Sequence, residues 1–281
     1  MNATVTPSYT FEIFPPKGSK SLDGTWATID SLASLGPDLI SVTYGAGGTS
    51  RDNTVQIASG IQNKYGVRGV AHLTCVGSTK ENIRGILREL KENNVRSILA
   101  LRGDLKDESD LGEFHHASEL IKFISDEEGD GFDLFAACYP EKHPEAPSME
   151  EDLRRLKEKC EIGGGAVRGL ISQLFFDNDV FLRFRDRCAA AGIRVPIFPG
   201  LMPVASLQQL RRSVGFSGSR VPPELETALA ADPAEGMNWL LRQIRGLVAE
   251  GVPGIHLYIL NRANTLLHPA LVACIEEWHH A

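Results

Sequence analysis

Short apolar runs alternate with amphipathic helical segments along the whole of this 281-residue sequence. The runs are apolar almost throughout, which is typical of strands in a parallel sheet whose two faces are both covered. We predict strands at about residues 9–14, 38–44, 69–75, 97–101, 133–139, 167–176, 195–198 and 255–260. Eight such strands, each followed by a predicted helix at a spacing of roughly thirty residues, indicate an α/β fold of the closed (β/α)8, or TIM, barrel type.

The competing architecture is an open, doubly wound sheet. Such a sheet usually begins with a Gly-rich turn between its first strand and first helix, whereas the first predicted strand here is followed by Pro15-Pro16-Lys17-Gly18. No stretch has the composition of a linker between domains. We therefore expect one domain over residues 1–281, with a helical insertion at about 215–235 before the last strand.

Charge and composition argue against several classes of function. The net charge of −7 does not favour a nucleic-acid partner, and the apolar stretches are too short to span a membrane. The five cysteines form no Cys-x-x-Cys pair, so we expect free thiols in a reducing cytoplasm. The first eight residues have no secretory signal pattern, and the His-His pairs at 115–116 and 279–280 lack the spacing of a metal site.

One charged residue lies inside the first predicted strand. Glu12 is flanked by Phe11 and Ile13, and the run ends at Pro15-Pro16. Burying an ionised carboxylate without a partner is costly, so a carboxyl in this place tends to take up a proton and can then serve as a general acid. The competing interpretation is a solvated glutamate on an edge strand, or one paired with an arginine or lysine.

Polar and aromatic side chains collect at the predicted carboxyl ends of the strands, where the active sites of (β/α)8 enzymes lie. They are Glu12, Thr43, Tyr44, His72, Thr74, Arg102, Asp104, Tyr139, His143, Gln173, Tyr258, Asn261 and Arg262. Each has a purely structural alternative: His72 as a core histidine, Arg102 paired with Asp104, or Gln173 capping a loop. Because all of them fall at one face, the set as a whole favours an enzyme.

The same strand ends carry eight motifs in order along the chain. They are Phe11–Pro16, Ser41–Gly48, His72–Cys75, Leu101–Asp104, Tyr139–Glu145, Ser172–Asp177, Pro199–Pro203 and Leu260–Ala263. Together they resemble the bacterial-type 5,10-methylenetetrahydrofolate reductases, over nearly the whole chain. The resemblance implies a TIM-barrel catalytic domain that binds FAD at the strand ends. It also implies hydride transfer from NADH or NADPH, through the flavin, to methylenetetrahydrofolate, which gives methyltetrahydrofolate.

The resemblance also implies roles for individual residues. Glu12 corresponds to the general acid that protonates the leaving nitrogen of the folate's imidazolidine ring, and Asp104 to a carboxylate between the flavin and the pterin. The implied folate contacts are Glu12, Asp104, Gln173, Gln209 and Arg262. The implied FAD contacts are Thr43, Tyr44, His72, Arg102, Gly103, Asp104, His116, Ala137, Tyr139, His143, Asp152, Arg155 and Lys159.

Two departures from the family pattern concern the cofactor. Glu158 precedes Lys159 where relatives often have two basic residues, with Arg155 one turn earlier, and His116 stands where a tyrosine is common. We therefore expect FAD to be held more loosely than in such relatives.

Three alternatives stay open beside the flavin-dependent reductase. They are a flavin-independent reductase with direct hydride transfer, a folate-binding scaffold that would have lost Glu12, Asp104 or Gln173, and an unrelated barrel lyase or aldolase. The last would need a Schiff-base lysine or a metal cluster, and the sequence suggests neither. The expected partners are the folate and a nicotinamide nucleotide. The choice of NADH or NADPH, the direction of the reaction and assembly into a homo-oligomer are left open.

Overall fold

The computed structural model describes residues 8–16, 21–44, 48–104, 112–261 and 267–279. Within these ranges nine parallel strands form one sheet, which curls into a nearly closed barrel surrounded by helices. The strand that begins at Ser8 has as its neighbours the strands that begin at Leu39 and Gly254, and the strands that begin at Ile197 and Gly200 lie at the two edges of the sheet. The predicted TIM barrel is confirmed, because each strand pairs in parallel with its neighbours and helices separate successive strands, except for the two short strands on either side of Pro199.

The elements have the following bounds. The strands are β1 Ser8–Ile13, β2 Leu39–Val42, β3 Arg68–Thr74, β4 Ser97–Leu101, β5 Asp133–Cys138, β6 Val167–Ser172, β7 Ile197–Phe198, β8 Gly200–Leu201 and β9 Gly254–Tyr258. The helices are α1 Asp23–Ala33, α2 Gly48–Tyr65, α3 Lys80–Glu92, α4 Ala117–Glu128, α5 Met149–Ile162, α6 Asn178–Ala190, α7 Leu207–Ser217, α8 Pro223–Ala231, α9 Glu235–Ala249 and α10 Pro269–His279.

The seventh barrel strand differs from the prediction, because it is split into β7 and β8 on either side of Pro199. A proline has no N–H to donate to a sheet, but its carbonyl still accepts a bond of 2.9 Å from His256 N. The next amide, Gly200 N, leaves the ladder and donates to Ser172 Oγ at 2.8 Å. A Cβ at position 200 would lie 2.3 Å from the carbonyl oxygen of Ser172, so glycine is required there.

Helix α5 begins at a well-formed cap and packs lightly on the barrel. The hydroxyl of Ser148 accepts from Glu151 N at 3.2 Å, as expected of a serine N-cap. Leu156 is the one buried residue of this helix. The charged faces of α5 are therefore left for solvent and for the space between α5 and the ends of the neighbouring strands.

The core accounts for most of the cysteines, as predicted. All five are free thiols, and Cys75, Cys138, Cys188 and Cys274 are buried. Helix α8 lies inside the predicted insertion, while the single-domain organisation of the whole chain stays a prediction. Across the described ranges, none of the helices is both long and apolar enough to cross a membrane.

Candidate functional site

Glu12 lies inside the barrel near its carboxyl-terminal mouth. Its strand, β1, pairs with β2 on one side and β9 on the other, with Glu12 opposite Ser41 and Tyr258. The residue is 7% exposed. The alternative of a solvated glutamate on an edge strand is therefore wrong, because the strand is central and the carboxyl is buried.

Two imidazoles contact the Glu12 carboxyl. The Nε2 atoms of His72, on β3, and His256, on β9, lie 3.4 Å and 3.6 Å from Glu12 Oε2. Among the described residues these Nε2 atoms have no hydrogen-bond partner, and no arginine or lysine forms an ion pair with Glu12. On the far side of its ring, His256 Nδ1 lies 2.7 Å from Thr10 Oγ1. The carboxyl is thus held between two rings that can exchange a hydrogen bond with it.

Strand periodicity explains why these groups meet. Side chains two residues apart on a strand point to the same face, so Thr10 and Glu12 share the inner face of β1. On β3, His72 follows Val70, which packs in a buried cluster with side chains of the neighbouring strands β2, β4, β5 and β6. This cluster forms an apolar layer inside the barrel, on the amino-terminal side of His72 along β3.

Burial decides the charge of His72. Removal from water lowers its pKa to about 4, a shift that the attraction of Glu12 reduces only in part and that repulsion by His256 reinforces. His72 is therefore neutral at pH 7 and contacts Glu12 as an uncharged imidazole. It can donate one hydrogen bond to the carboxyl without forming a fixed ion pair.

Replacing His72 with glutamine should make the fold less sensitive to mild acid. The pKa of His72 is about 4 in the folded protein against 6.5 for an ordinary histidine. Between these values the unfolded chain binds more protons, so the free energy of unfolding decreases as pH falls, by about 2 kcal/mol at pH 5. Urea denaturation at pH 7 and pH 5 measures this loss. It should be smaller in His72→Gln and unchanged in His268→Gln, a control at an exposed histidine; equal acid losses in all three proteins would contradict the assignment.

Two residues outside the predicted set of contacts shape the mouth. Tyr258 donates its hydroxyl to Ser172 O at 2.7 Å, and burial raises the pKa of Tyr258 well above its usual value. Asn261 accepts from Phe14 N at 2.8 Å and donates to Phe14 O at 2.6 Å. The segment just after Glu12 is thereby fixed to the end of β9.

A cavity of about 380 Å³ opens beside this mouth, between β4, β5, α4 and α5. Eight of the thirteen predicted cofactor contacts line it: Arg102, His116, Ala137, Tyr139, His143, Asp152, Arg155 and Lys159. The other five, Thr43, Tyr44, His72, Gly103 and Asp104, lie outside its lining, at strand ends or, for His72, inside the barrel. The structure thus brings together residues from positions 102 to 159 that were grouped by resemblance alone.

The cations of the cavity differ in their partners. Arg102 forms a two-bond ion pair with Glu145, at 2.6 Å and 2.7 Å, instead of pairing with Asp104. Lys159 donates to the backbone carbonyl of Ala137 at 3.1 Å. In the described part of the chain no carboxylate lies within ion-pair distance of Lys159, and burial lowers its pKa. Lys159 is therefore a partly buried cation whose partner is a neutral oxygen.

The charges on α5 are arranged differently from the sequence expectation. Glu158 pairs with Arg154, and Arg155 Nε donates to Glu151 Oε1 at 2.8 Å. Arg154 also bonds Glu151, at 2.7 Å. The charge of Glu158 is thus balanced within the helix, and its repulsion of an anion near Lys159 is weaker than the sequence alone suggests.

The predicted folate contacts are held in several ways. Gln209 is buried; its Oε1 accepts from Ala205 N and its Nε2 donates to Pro203 O, each at 3.0 Å. Gln173 Oε1 accepts from Leu174 N at 2.9 Å. Asp104 is exposed just after β4, and Arg262 lies outside the described residues. The substrate roles of these four residues stay predictions.

Sequence reasoning missed His256 and Glu145. His256 lies in the middle of an apolar strand, and its inward position two residues before Tyr258 is a signal that strand alternation could have supplied. Glu145 ends a motif that was noted for its other members. Its partner Arg102 is 43 residues away, and no sequence spacing indicates that pairing.

The fold and this site define a (β/α)8-barrel enzyme with a buried carboxyl at its mouth and, beside it, a cavity lined by charged side chains of both signs. Residues 1–269 match the sequence profile of the family Methylenetetrahydrofolate reductase. The 5,10-methylenetetrahydrofolate reductase of Escherichia coli (strain K12) is 40% identical over 260 residues, which cover 90% of this chain and 86% of that protein. The chain therefore belongs to the methylenetetrahydrofolate reductase family, whose members are oxidoreductases of folate metabolism.

More distant comparisons agree in sequence and in fold. Methylenetetrahydrofolate reductase (NADH) 1 of Arabidopsis thaliana is 34% identical over 275 residues, 90% of this chain and 46% of the plant protein. A Clostridium thermocellum protein described as binding two copies of 5-methyl-5,6,7,8-tetrahydrofolic acid superposes with a TM-score of 0.67 at 15% identity, covering 99% of this chain and 96% of that one. At this identity the second match shows the fold alone.

Proposed function

We propose that this protein reduces 5,10-methylenetetrahydrofolate to 5-methyltetrahydrofolate with NADH or NADPH, and that FAD bound in the cavity relays the hydride. The observation that carries this proposal is the buried Glu12 carboxyl between two imidazoles, with a cavity beside it that Arg102 and Lys159 line. Family membership supports the reaction class. The second candidate is the same reduction without flavin. The observation that favours it is Glu158 beside Lys159, where relatives often have two basic residues.

Glu12 is suited to the proton transfer. Opening the imidazolidine ring of the substrate requires a proton on the leaving nitrogen, and the resulting iminium accepts hydride. Thr10 Oγ1 lies 2.7 Å from His256 Nδ1. The tautomer of His256 in which Nδ1 accepts from this hydroxyl carries its proton on Nε2, which lies 3.6 Å from Glu12 Oε2. The ring can then stabilise the carboxylate that remains once the proton has left. His72 contacts the same oxygen as an uncharged imidazole.

The lining of the cavity is compatible with a dinucleotide. Within the described residues the partner of Lys159 is a neutral backbone carbonyl, and Arg102 and Arg155 lie in the same wall of the cavity. Such cations bind a diphosphate through charge-assisted hydrogen bonds. Bound FAD would supply a two-electron relay between the nicotinamide and the folate. The residues themselves would bind and orient it.

Spectroscopy and a coupled assay test the proposal. The purified protein should show the visible absorbance of bound flavin, and NADH or NADPH should bleach it until methylenetetrahydrofolate is added. A colourless protein that is fully active and unaffected by added FAD would replace the flavin mechanism by direct hydride transfer. Absence of methyltetrahydrofolate with either nucleotide, at saturating FAD, would refute the reductase proposal.

Asp104→Asn should weaken binding of the folate. The exposed carboxylate after β4 can accept hydrogen bonds from pterin N–H donors, whereas an amide would place its own NH2 against some of them. We expect the KM for methylenetetrahydrofolate to increase by about tenfold, the scale of one charged hydrogen bond. Steady-state kinetics measure this, with Asp126→Asn on α4 as the control. An unchanged KM and turnover would remove Asp104 from the folate site.

A further inference from the structure

We infer that Glu145 is a built-in competitor of the anionic ligand: it occupies the Arg102 guanidinium, and this ion pair opens when a phosphate group takes its place. The inference rests on the proposed function in one respect, namely that the cavity of Arg102 and Lys159 receives a phosphorylated cofactor. It adds that the affinity for that cofactor is limited by a carboxylate of the chain itself.

Three of the five N–H donors of the Arg102 guanidinium are bonded within the protein. Its Nη1 and Nη2 atoms donate to the two oxygens of Glu145 at 2.6 Å and 2.7 Å, and its Nε donates to Gly103 O at 3.3 Å. This is the planar, two-bond geometry in which arginine also binds phosphate. The edge that would bind a phosphate is therefore already occupied by Glu145, and both residues line the cavity.

Arg102 and Glu145 differ in how far their side chains are exposed to solvent. The Arg102 side chain is 20% exposed and the Glu145 side chain 61% exposed. The loop that carries Glu145 is fixed through its backbone, since Glu145 N donates to His143 Nδ1 at 3.1 Å and Lys142 Nζ donates to His143 O at 3.1 Å. The Glu145 side chain can therefore rotate into solvent while Arg102 and the loop stay in place, and exposed ion pairs contribute little net stability.

Charge is the property that makes Glu145 a competitor. Hydrogen bonds from Arg102 lower the pKa of Glu145, so the carboxylate stays ionised at neutral pH. While Glu145 is bonded to Arg102, the charge of Arg102 is balanced. Among the described residues, Lys159 is then the cation of this wall whose bonded partner is neutral. Release of Arg102 adds a second cation for the ligand. An anionic ligand should respond to this change, whereas an uncharged ligand of the same cavity should not.

The test compares ligand binding to the wild type and to Glu145→Gln. Isothermal titration calorimetry measures the affinity of each protein for FAD, ADP and riboflavin. Without the charge of Glu145, FAD and ADP should bind about three- to tenfold more tightly, the range expected for one partly exposed ion pair. Riboflavin, which carries no phosphate, should bind with unchanged affinity. Glu145→Ala, which also removes the acceptor oxygens, should tighten FAD and ADP at least as much.

Asp133→Asn is the matched control. Asp133 is also a carboxylate paired with an arginine, Arg168, at 3.0 Å, and the substitution changes the net charge equally. It lies at the start of β5, at the opposite end of the barrel from the cavity. Affinities in this control should equal those of the wild type.

Each other outcome has a definite meaning. Equal affinities of FAD and ADP for wild type and Glu145→Gln, or no measurable ADP binding to either, would overturn the competition. Weaker FAD binding in the variant would also overturn it, because Glu145 would then be a ligand contact. Tighter ADP binding with no FAD binding to any variant would leave the competition standing and refute the cofactor assignment.

Discussion

Replacing Glu12 with glutamine should stop the formation of methyltetrahydrofolate while oxidation of the nicotinamide by an artificial acceptor continues. The amide is nearly isosteric with the carboxyl but has no acidic proton to give the leaving nitrogen. Loss of a general acid typically costs about 10²-fold or more in rate. We therefore expect the folate reaction to fall by at least about 100-fold. Stopped-flow measurement of the two half-reactions separates them.

The control and the contrary outcome for this variant follow from the position of Glu12. Glu226→Gln makes the same chemical change at an exposed site on α8 and should leave both half-reactions unchanged. Since His72 and His256 both contact Glu12, an unfolded or colourless variant would point to a structural role for the carboxyl. If both half-reactions fell together in a folded protein, Glu12 would not be the acid.

Lys159→Met should release the cofactor. Its ammonium group lies in the cavity wall and donates to the carbonyl of Ala137. Among the described residues it has no carboxylate partner, so a ligand phosphate would be free to pair with it. Methionine keeps the length of the side chain without the charge. Because the variant loses the free energy of a charge-assisted hydrogen bond to the ligand, we expect the Kd for FAD to increase by about 10- to 100-fold. Flavin fluorescence during titration measures this Kd.

A neighbouring lysine provides the control. Lys157 lies on the same helix and is paired with Glu161 at 3.8 Å, outside the direct lining of the cavity. Lys157→Met should leave the Kd unchanged. The melting temperature of Lys159→Met without flavin should not decrease, because burial disfavours the charge that is removed. Unchanged FAD affinity in Lys159→Met would exclude Lys159 from the phosphate site.

The sequence predicts the barrel well because both of its signals are local. Apolar runs that alternate with amphipathic segments specify strands and helices wherever they pack, and a polar residue at a run's end predicts its place at the mouth. The hydroxyl of Thr79, directly before α3, accepts from Asn82 N at 3.2 Å, as expected of a threonine N-cap. Pro199 shows the limit: the proline was visible, but the division of one strand into β7 and β8 depends on Ser172, which belongs to another strand.

The site was predicted less completely, because its contacts join distant parts of the chain. His256 and Thr10 are 246 residues apart, and only closure of the barrel between β1 and β9 brings them together. The same applies to charge. The sequence predicts that Glu158 repels an anion beside Lys159, whereas in the structure Glu158 forms an ion pair with Arg154. Arg102, in turn, forms an ion pair with Glu145. Rotamers and pairing, which no residue spacing encodes, decide which charges a ligand meets.

The interruption at Pro199 gives the barrel a line of weakness along β7 and β8. Each of these strands has two residues, and beside Gly200 a serine hydroxyl replaces a backbone acceptor. Local stability follows the density of such bonds, so fluctuations that open a sheet begin where its ladder is thinnest. The cavity lined by Arg102 and Lys159 is built on β4 and β5, beyond β6. The barrel can therefore loosen beside Gln173, where the folate is expected, while the walls around Lys159 stay closed.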